Sequence, residues 1–220
     1  MCAHSKLTTL QTSKKHLEQF IEISSLIQNA IMDYDASVLT EQQCPCKRGG
    51  KRIFRCRDCP VFQPVCDKCL LEAHAYEPYH WGEVWVGRCF RKFDMVDIGM
   101  EVHLGHDGQK CPAKDNRPTE MKVVDSNGIH SCKIFFCECE KGAQPYSQVV
   151  QLLHSRLFPY TTAMPETAMT FRCLADFRVH THASRKSAYD HMKALYAMTC
   201  EETKLRISVC VILVHVLPKS

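Results

Sequence analysis

Two Cys-x-x-Cys knuckles, Cys56-Arg-Asp-Cys59 and Cys66-Asp-Lys-Cys69, are followed by His74 and His80, so six sulfur and nitrogen donors fall within 25 residues. The tight turn inside a knuckle points both sulfurs the same way, which lets the pair grip one tetrahedral ion. Zinc takes four such ligands at about 2.0–2.3 Å. Six donors do not complete two tetrahedra, and the missing pair stands just upstream as Cys44-Pro-Cys46. Four sequential pairs suit a cross-brace. Cys44, Cys46, Cys66 and Cys69 would hold one zinc, and Cys56, Cys59, His74 and His80 a second. Interleaving ties both ends of a segment too short to bury its own core, and a structural zinc contributes on the order of 10 kcal/mol to folding. A sequential arrangement of the same pairs is the alternative.

A second concentration of donors lies downstream. Cys137-Glu-Cys139 is preceded by His103, His106, Cys111 and His130. A third zinc is expected on Cys111, Cys137, Cys139 and one histidine. His130 is favoured because it shares a predicted strand with Cys137, with His106 close behind. Cys2, Cys89, Cys132, Cys173, Cys200 and Cys210 have no partner at ligand spacing and read as non-ligands.

The rest of the composition agrees with metal binding. There are 15 cysteines in 220 residues, clustered and mixed with histidine rather than spread as a disulfide framework. Residues 1–30 lack a compact apolar core and a small-residue cleavage site, so no secretory signal is expected, and the apolar run near the C-terminus, 209–217, is far short of the roughly 20 residues that span a bilayer. That run reads as a buried strand or a disordered end. An intracellular protein with no membrane association and no small-molecule substrate is expected. The formal charge is +4 with every cysteine neutral. A zinc on four thiolates carries −2, one on two thiolates and two imidazoles is neutral, and one on three thiolates and an imidazole carries −1. The net charge then falls to +1, too small to argue for nucleic-acid binding by itself.

These donors must be positioned by surrounding elements. Leu17, Phe20, Ile21, Ile27, Ile31 and Tyr34 recur at helical steps over 14–34, predicting a helix that docks on the domain or, alternatively, dimerises. Short strands are expected at 83–87, 90–93 and 100–104, and a hairpin at 121–125 and 129–136 turning at Ser126-Asn127-Gly128. Helices are expected at 147–153, 166–178 and 184–198, the last capped by Ser184. The fold class is α+β: an N-terminal helix, a two-zinc cross-brace finger of B-box or ZZ type, a short antiparallel β-sheet carrying the third zinc, and C-terminal helices. The divisions fall at 1–40, 44–82, 83–145, 146–200 and an atypical tail at 201–220.

The stretches RIFRCRDC, VCDKCLLEAH, HWGEVWVGRCF, DIGMEVHLGH, VVDSNGIHSCKIFFCEC, RLFPYTTAMPETAMTFRCLADF and SAYDHMKALYAMT resemble the CxC-type cysteine cluster domain found N-terminal to the catalytic region of KDZ (Kyakuja-Dileera-Zisupton) transposases, mostly in basidiomycete fungi. The resemblance runs from about Cys44 to about Thr199. It implies zinc chelation, a nuclear location, and help to a transposase in recognising DNA or a chromatin partner. Such transposases continue into an RNase H-like catalytic domain for which this sequence has no room, and 201–220 does not look like the family's continuation, so a truncated or mispredicted gene product is expected.

Three functions compete. The first is a zinc-stabilised recognition module contacting phosphates through Lys47, Arg48, Lys51, Arg52, Arg55 and Arg57. The second is a protein-interaction module of B-box or ZZ type. The third is an enzyme: the first cluster is complete and closed, but the downstream one has surplus histidine with Asp125 nearby, which leaves zinc hydrolysis open, whereas a nuclease would need clustered carboxylates and Asp94, Asp97, Asp107, Asp115 and Asp125 show no recognisable spacing. A non-catalytic role is expected.

Overall fold

The computed structural model describes residues 16–35, 39–60, 63–112, 117–139 and 147–200. The expectations for 1–13 and for the tail from 201 onward, Cys2 and Cys210 included, lie outside them. The architecture is α+β, with two sheets and helices at both ends of the described chain.

Residues 16–22 are helical and lead through Ile23 into α1, Ser24–Asp35. The helix forms where its apolar stripe predicts, but Leu17, Phe20, Ile21, Leu26 and Ile31 are all exposed rather than docked. Strand β1 (Phe54–Cys56) has no counterpart in the sequence reading. It is three residues long, too short for periodicity to register. It pairs antiparallel with β2 (Trp81–Trp85), which pairs antiparallel with β3 (Phe90–Asp94). Helix α2 (Asp67–Ala73) begins inside the second knuckle and buries Leu70 against Cys56, Met95 and Met100.

The second sheet has five strands in the order β4-β6-β5-β8-β7 and is mixed. The hairpin forms as predicted from β5 (Thr119–Asp125) and β6 (Gly128–Phe135), with Asp125 opposite Gly128. β4 (Glu101–His103) runs parallel to β6, and β8 (Thr167–Thr170) parallel to β5, while β7 (Leu157–Pro159) closes the far edge antiparallel to β8. Alternation along the strands sorts the side chains onto two faces. Met121, Val123, Cys132, Ile134, Leu157 and Ala168 pack with Leu152 of α3 (Ser147–His154) on one face. Val124, Ile129 and Met169 pack with Cys173, Met192 and Leu195 on the other, beneath α4 (Phe171–Ser184) and α5 (Ala188–Thr199).

Two helix boundaries correct the sequence reading. Residues 167–170 are a strand, not the first turn of a helix, because their backbone pairs with β5 and β7 and Thr170 then caps α4 by accepting from the Cys173 N–H. Ser184 ends α4, its hydroxyl donating back to the His180 carbonyl. The cap of α5 is Ser187, which accepts from the Asp190 N–H and donates to the Asp190 carboxylate at 2.6 Å.

Candidate metal centres

The interleaved pairing predicted from the sequence is the one the fold brings together. Cys44, Cys46, Cys66 and Cys69 form one cluster and Cys56, Cys59, His74 and His80 another, with all ligand atoms of each within 4.8 Å of one another. In the first, Cys44 Sγ lies 3.8 Å from Cys69 Sγ and Cys46 Sγ 3.6 Å from Cys66 Sγ. In the second, Cys56 Sγ is 3.6 Å from His80 Nδ1, and Cys59 Sγ is 3.4 Å from His74 Nε2 and 3.5 Å from His80 Nδ1. A tetrahedron with metal–sulfur bonds of about 2.3 Å and metal–nitrogen bonds of about 2.0 Å has edges of roughly 3.3–3.8 Å. The donor sets therefore fit a four-coordinate ion. An ion in the first cluster would cross-link the segment around Cys44 to α2, and one in the second would cross-link the end of β1 to the residues that follow α2.

The backbone prepares each cluster. Cys66 N–H donates to Cys44 Sγ and Cys59 N–H to Cys56 Sγ, both at 3.4 Å. Gly50 sits where a Cβ would come within 2.5 Å of Cys66 Cβ, so no larger residue fits without moving the knuckle. His74 Nδ1 donates to the Leu70 carbonyl at 2.9 Å, which fixes the tautomer and turns Nε2 toward the sulfurs. Burial lowers the proton affinity of His74, and a neutral imidazole is the form that binds metal. The backbone N–H and guanidinium of Arg48 pull the Cys46 thiol down to about 6. Burial and neighbouring sulfurs push Cys69 and Cys56 up to about 12. Gathering thiolates this closely is costly unless a cation neutralises them.

The third cluster corrects the choice of histidine. Cys111, Cys137 and Cys139 converge as expected, but the nitrogen beside them belongs to His106, whose Nε2 is 3.2 Å from both Cys137 Sγ and Cys139 Sγ. Cys111 Sγ is 3.9 Å from Cys137 Sγ and 3.5 Å from Cys139 Sγ. Parallel pairing explains the choice. β4 and β6 leave the sheet at the same end, with Leu104 N–H bonded to the Phe135 carbonyl at 2.8 Å, so the residues that follow each strand meet. Gly105 makes the turn at a φ of 92°, and a Cβ there would meet Cys137 Cβ at 2.9 Å. Gln151 of α3 clamps the other side, accepting from Cys137 N–H at 2.7 Å and donating to the Cys137 carbonyl at 3.0 Å.

His130 is on the right strand but several residues from its end, and it faces the finger. Its Nδ1 is 3.2 Å from Asp94 Oδ1 and its Nε2 2.9 Å from Asn127 Oδ1. Its ring lies 4.1 Å from that of Trp81. Neither nitrogen directs a lone pair at the cysteines. The sequence signal for His106 is its closeness to Cys111, four residues intervening.

This third cluster lies in a recognised sequence family. Residues 95–203 match the family model of the CxC2 like cysteine cluster associated with KDZ transposases. The CxC2 segment holds the mixed sheet, α3 to α5 and the third cluster; the first two clusters precede it. The resemblance read from the sequence began earlier, at about Cys44. No curated protein and no solved structure matches the chain. The CxC2 description is of an accessory cysteine cluster, not of a catalytic domain.

Of the six candidate phosphate contacts, all N-terminal to the CxC2 segment, Arg48, Arg52 and Arg55 are engaged within the fold. Arg48 pairs with Glu72 at 2.5 Å and donates to Cys69 Sγ at 3.3 Å. Arg55 is buried, bonded to Glu83 at 2.7 Å and stacked 3.8 Å over Phe90. Arg52 donates to the Pro64 carbonyl at 2.8 Å. Lys47, Lys51 and Arg57 are more open to solvent than Arg55. Asp125, weighed as a partner for a hydrolytic metal, is held by Thr170 and Arg172 instead. No helix among the described residues is long and apolar enough to cross a membrane.

Proposed function

We propose that the chain is a non-catalytic, zinc-held recognition module that accompanies a KDZ-type transposase in the nucleus and engages a chromatin protein. The three donor sets are four sulfurs, two sulfurs with two nitrogens, and three sulfurs with one nitrogen. Zinc suits such sets better than metals that prefer oxygen ligands. The observation that carries the reading is completeness. Each cluster offers four ligands, which leaves no open position for a reacting water. A protein partner is favoured over DNA because Arg48, Arg52 and Arg55 already have partners inside the fold.

Binding of DNA through Lys47, Lys51 and Arg57 is the second reading. It is tested by titrating zinc-loaded protein with duplex DNA between about 50 and about 200 mM salt. Binding that weakens steeply with salt and is lost on charge reversal at these three positions would favour DNA. The protein-module reading expects no such binding.

A further inference from the structure

The face of the mixed sheet beneath α4 and α5 carries a groove of 570 Å³. Its floor crosses four adjacent strands, about 14 Å at about 4.8 Å per step. Register lays the floor out as two rows. One is apolar, Ile129 beside Val124 beside Met169 beside Phe158. The other is polar, Ser131 beside Lys122 beside Thr167, with Tyr160 bonded through its N–H to the Thr167 carbonyl. Leu174 and Phe177 of α4 and Met192 of α5 wall the apolar side.

Lys122 is the one lysine or arginine on this lining. It is exposed, its side chain donates to Ser131 Oγ at 2.6 Å, and it is in no ion pair among the described residues. The only lining carboxylate, Asp94, is engaged by His130 and by the Ser131 N–H. Phe158 is 54% exposed at the outer end of the apolar row, although Leu157 and Pro159 beside it are buried.

We infer that this groove is the docking site for a short peptide segment of a partner protein, one that lays apolar side chains against the partly exposed members of the Ile129–Phe158 row (Ile129, Met169 and Phe158, Val124 being buried between them) and sets an Asp or Glu carboxylate against Lys122. The charge complement selects the carboxylate, and the length of the floor matches about four extended residues or between two and three turns of helix. A groove of this volume, mostly apolar with few polar groups, has the character of a binding site. The inference rests on the reading of the chain as a protein-recognition module, and it names the surface that reading leaves open.

The test is selection of a random dodecapeptide display library on the zinc-loaded full chain, followed by affinity measurement of synthetic selected peptides against the wild type, Lys122→Glu and Phe158→Ser. Both positions are exposed, and metal content with thermal unfolding checks that each variant stays folded. The expected result is a consensus pairing apolar residues with Asp or Glu, and a tenfold or greater loss of affinity in each variant. Selected peptides that bind both variants as tightly as wild type would overturn the groove while leaving the recognition module standing. Absence of any selected peptide would overturn the groove proposal and weigh against the module reading together. Dodecanoate is the control probe. If it binds in a Lys122-dependent manner and no peptide does, the occupant is a small amphiphile and the peptide proposal is wrong.

Discussion

His130 Nε2 lies 2.9 Å from Asn127 Oδ1, while the amide nitrogen of Asn127 donates to Asp58 at 3.1 Å and to the Tyr79 carbonyl at 2.9 Å. One asparagine in a hairpin turn therefore joins the mixed sheet to the finger. Asn127→Ala leaves a buried ring nitrogen and a backbone carbonyl short of a partner, at a cost of about 1–3 kcal/mol. His130→Ala is expected to destabilise comparably. Urea unfolding should show the loss in both variants while the metal content stays unchanged. A metal lost from His130→Ala would restore this residue as a ligand.

The third centre should be separable from the other two. Three four-ligand clusters predict three zinc ions per chain. Cys137→Ser and His106→Ala should each lower the count by one in elemental analysis of the purified protein, and Cys59→Ser should remove a different ion. If Cys137→Ser left the count unchanged, the third cluster would be a set of free thiols.

Arg48 lies outside the first cluster but touches it through Cys69 Sγ, and Glu72 holds it there. Partners of this kind typically alter metal affinity by 10–100-fold. Arg48→Ala should weaken zinc retention against a competing chelator by about tenfold, with the second cluster unaffected. An exposed ion pair alone contributes little to stability, so an effect on stability without one on zinc affinity would contradict the argument.

Asp125 is fully buried, and burial works against its ionisation, yet the hydrogen bonds from Arg172 and Thr170 outweigh that and hold its carboxyl below the usual range. A lowered carboxyl stabilises the fold above its unfolded value of about 3.9, and the contribution is lost as pH falls through the lower folded value. Arg172→Ala should cost about 2–3 kcal/mol near neutral pH. This lies at or below the about 3–5 kcal/mol for breaking a fully buried pair, because the arginine side chain is 54% exposed. The variant's deficit should shrink below about pH 4. Since both proteins share the same metal clusters, the difference between their urea midpoints across pH isolates this pair.

The parts of the fold legible in the sequence were those with strong local signals. The Cys-x-x-Cys knuckles, the Asn127-Gly128 turn and the alternation of 129–136 each speak through neighbouring residues, and the cross-brace pairing followed from counting donors. What stayed hidden was non-local. Nothing near His106 says that β4 will lie parallel to β6, and without that pairing His130 looks the better ligand because it shares a strand with Cys137. The strand at 167–170 is equally silent, since four residues have no period to read and Thr170 serves both as its end and as the cap of α4. Arg55 looked like a surface cation in a basic run. Only the antiparallel register of β1 and β2, which sets it opposite Glu83, turns it inward.

The edge position of β4 gives the third cluster a further consequence. β4 is three residues long and covers one side of β6, an eight-residue strand of alternating burial. A metal on His106, Cys111, Cys137 and Cys139 would pin that short cover in place. Its loss would free β4 to peel away and leave β6 as an open edge, the surface on which a second chain can add a strand and begin a self-templating aggregate. Metal depletion would then be felt first as insolubility, before any global unfolding.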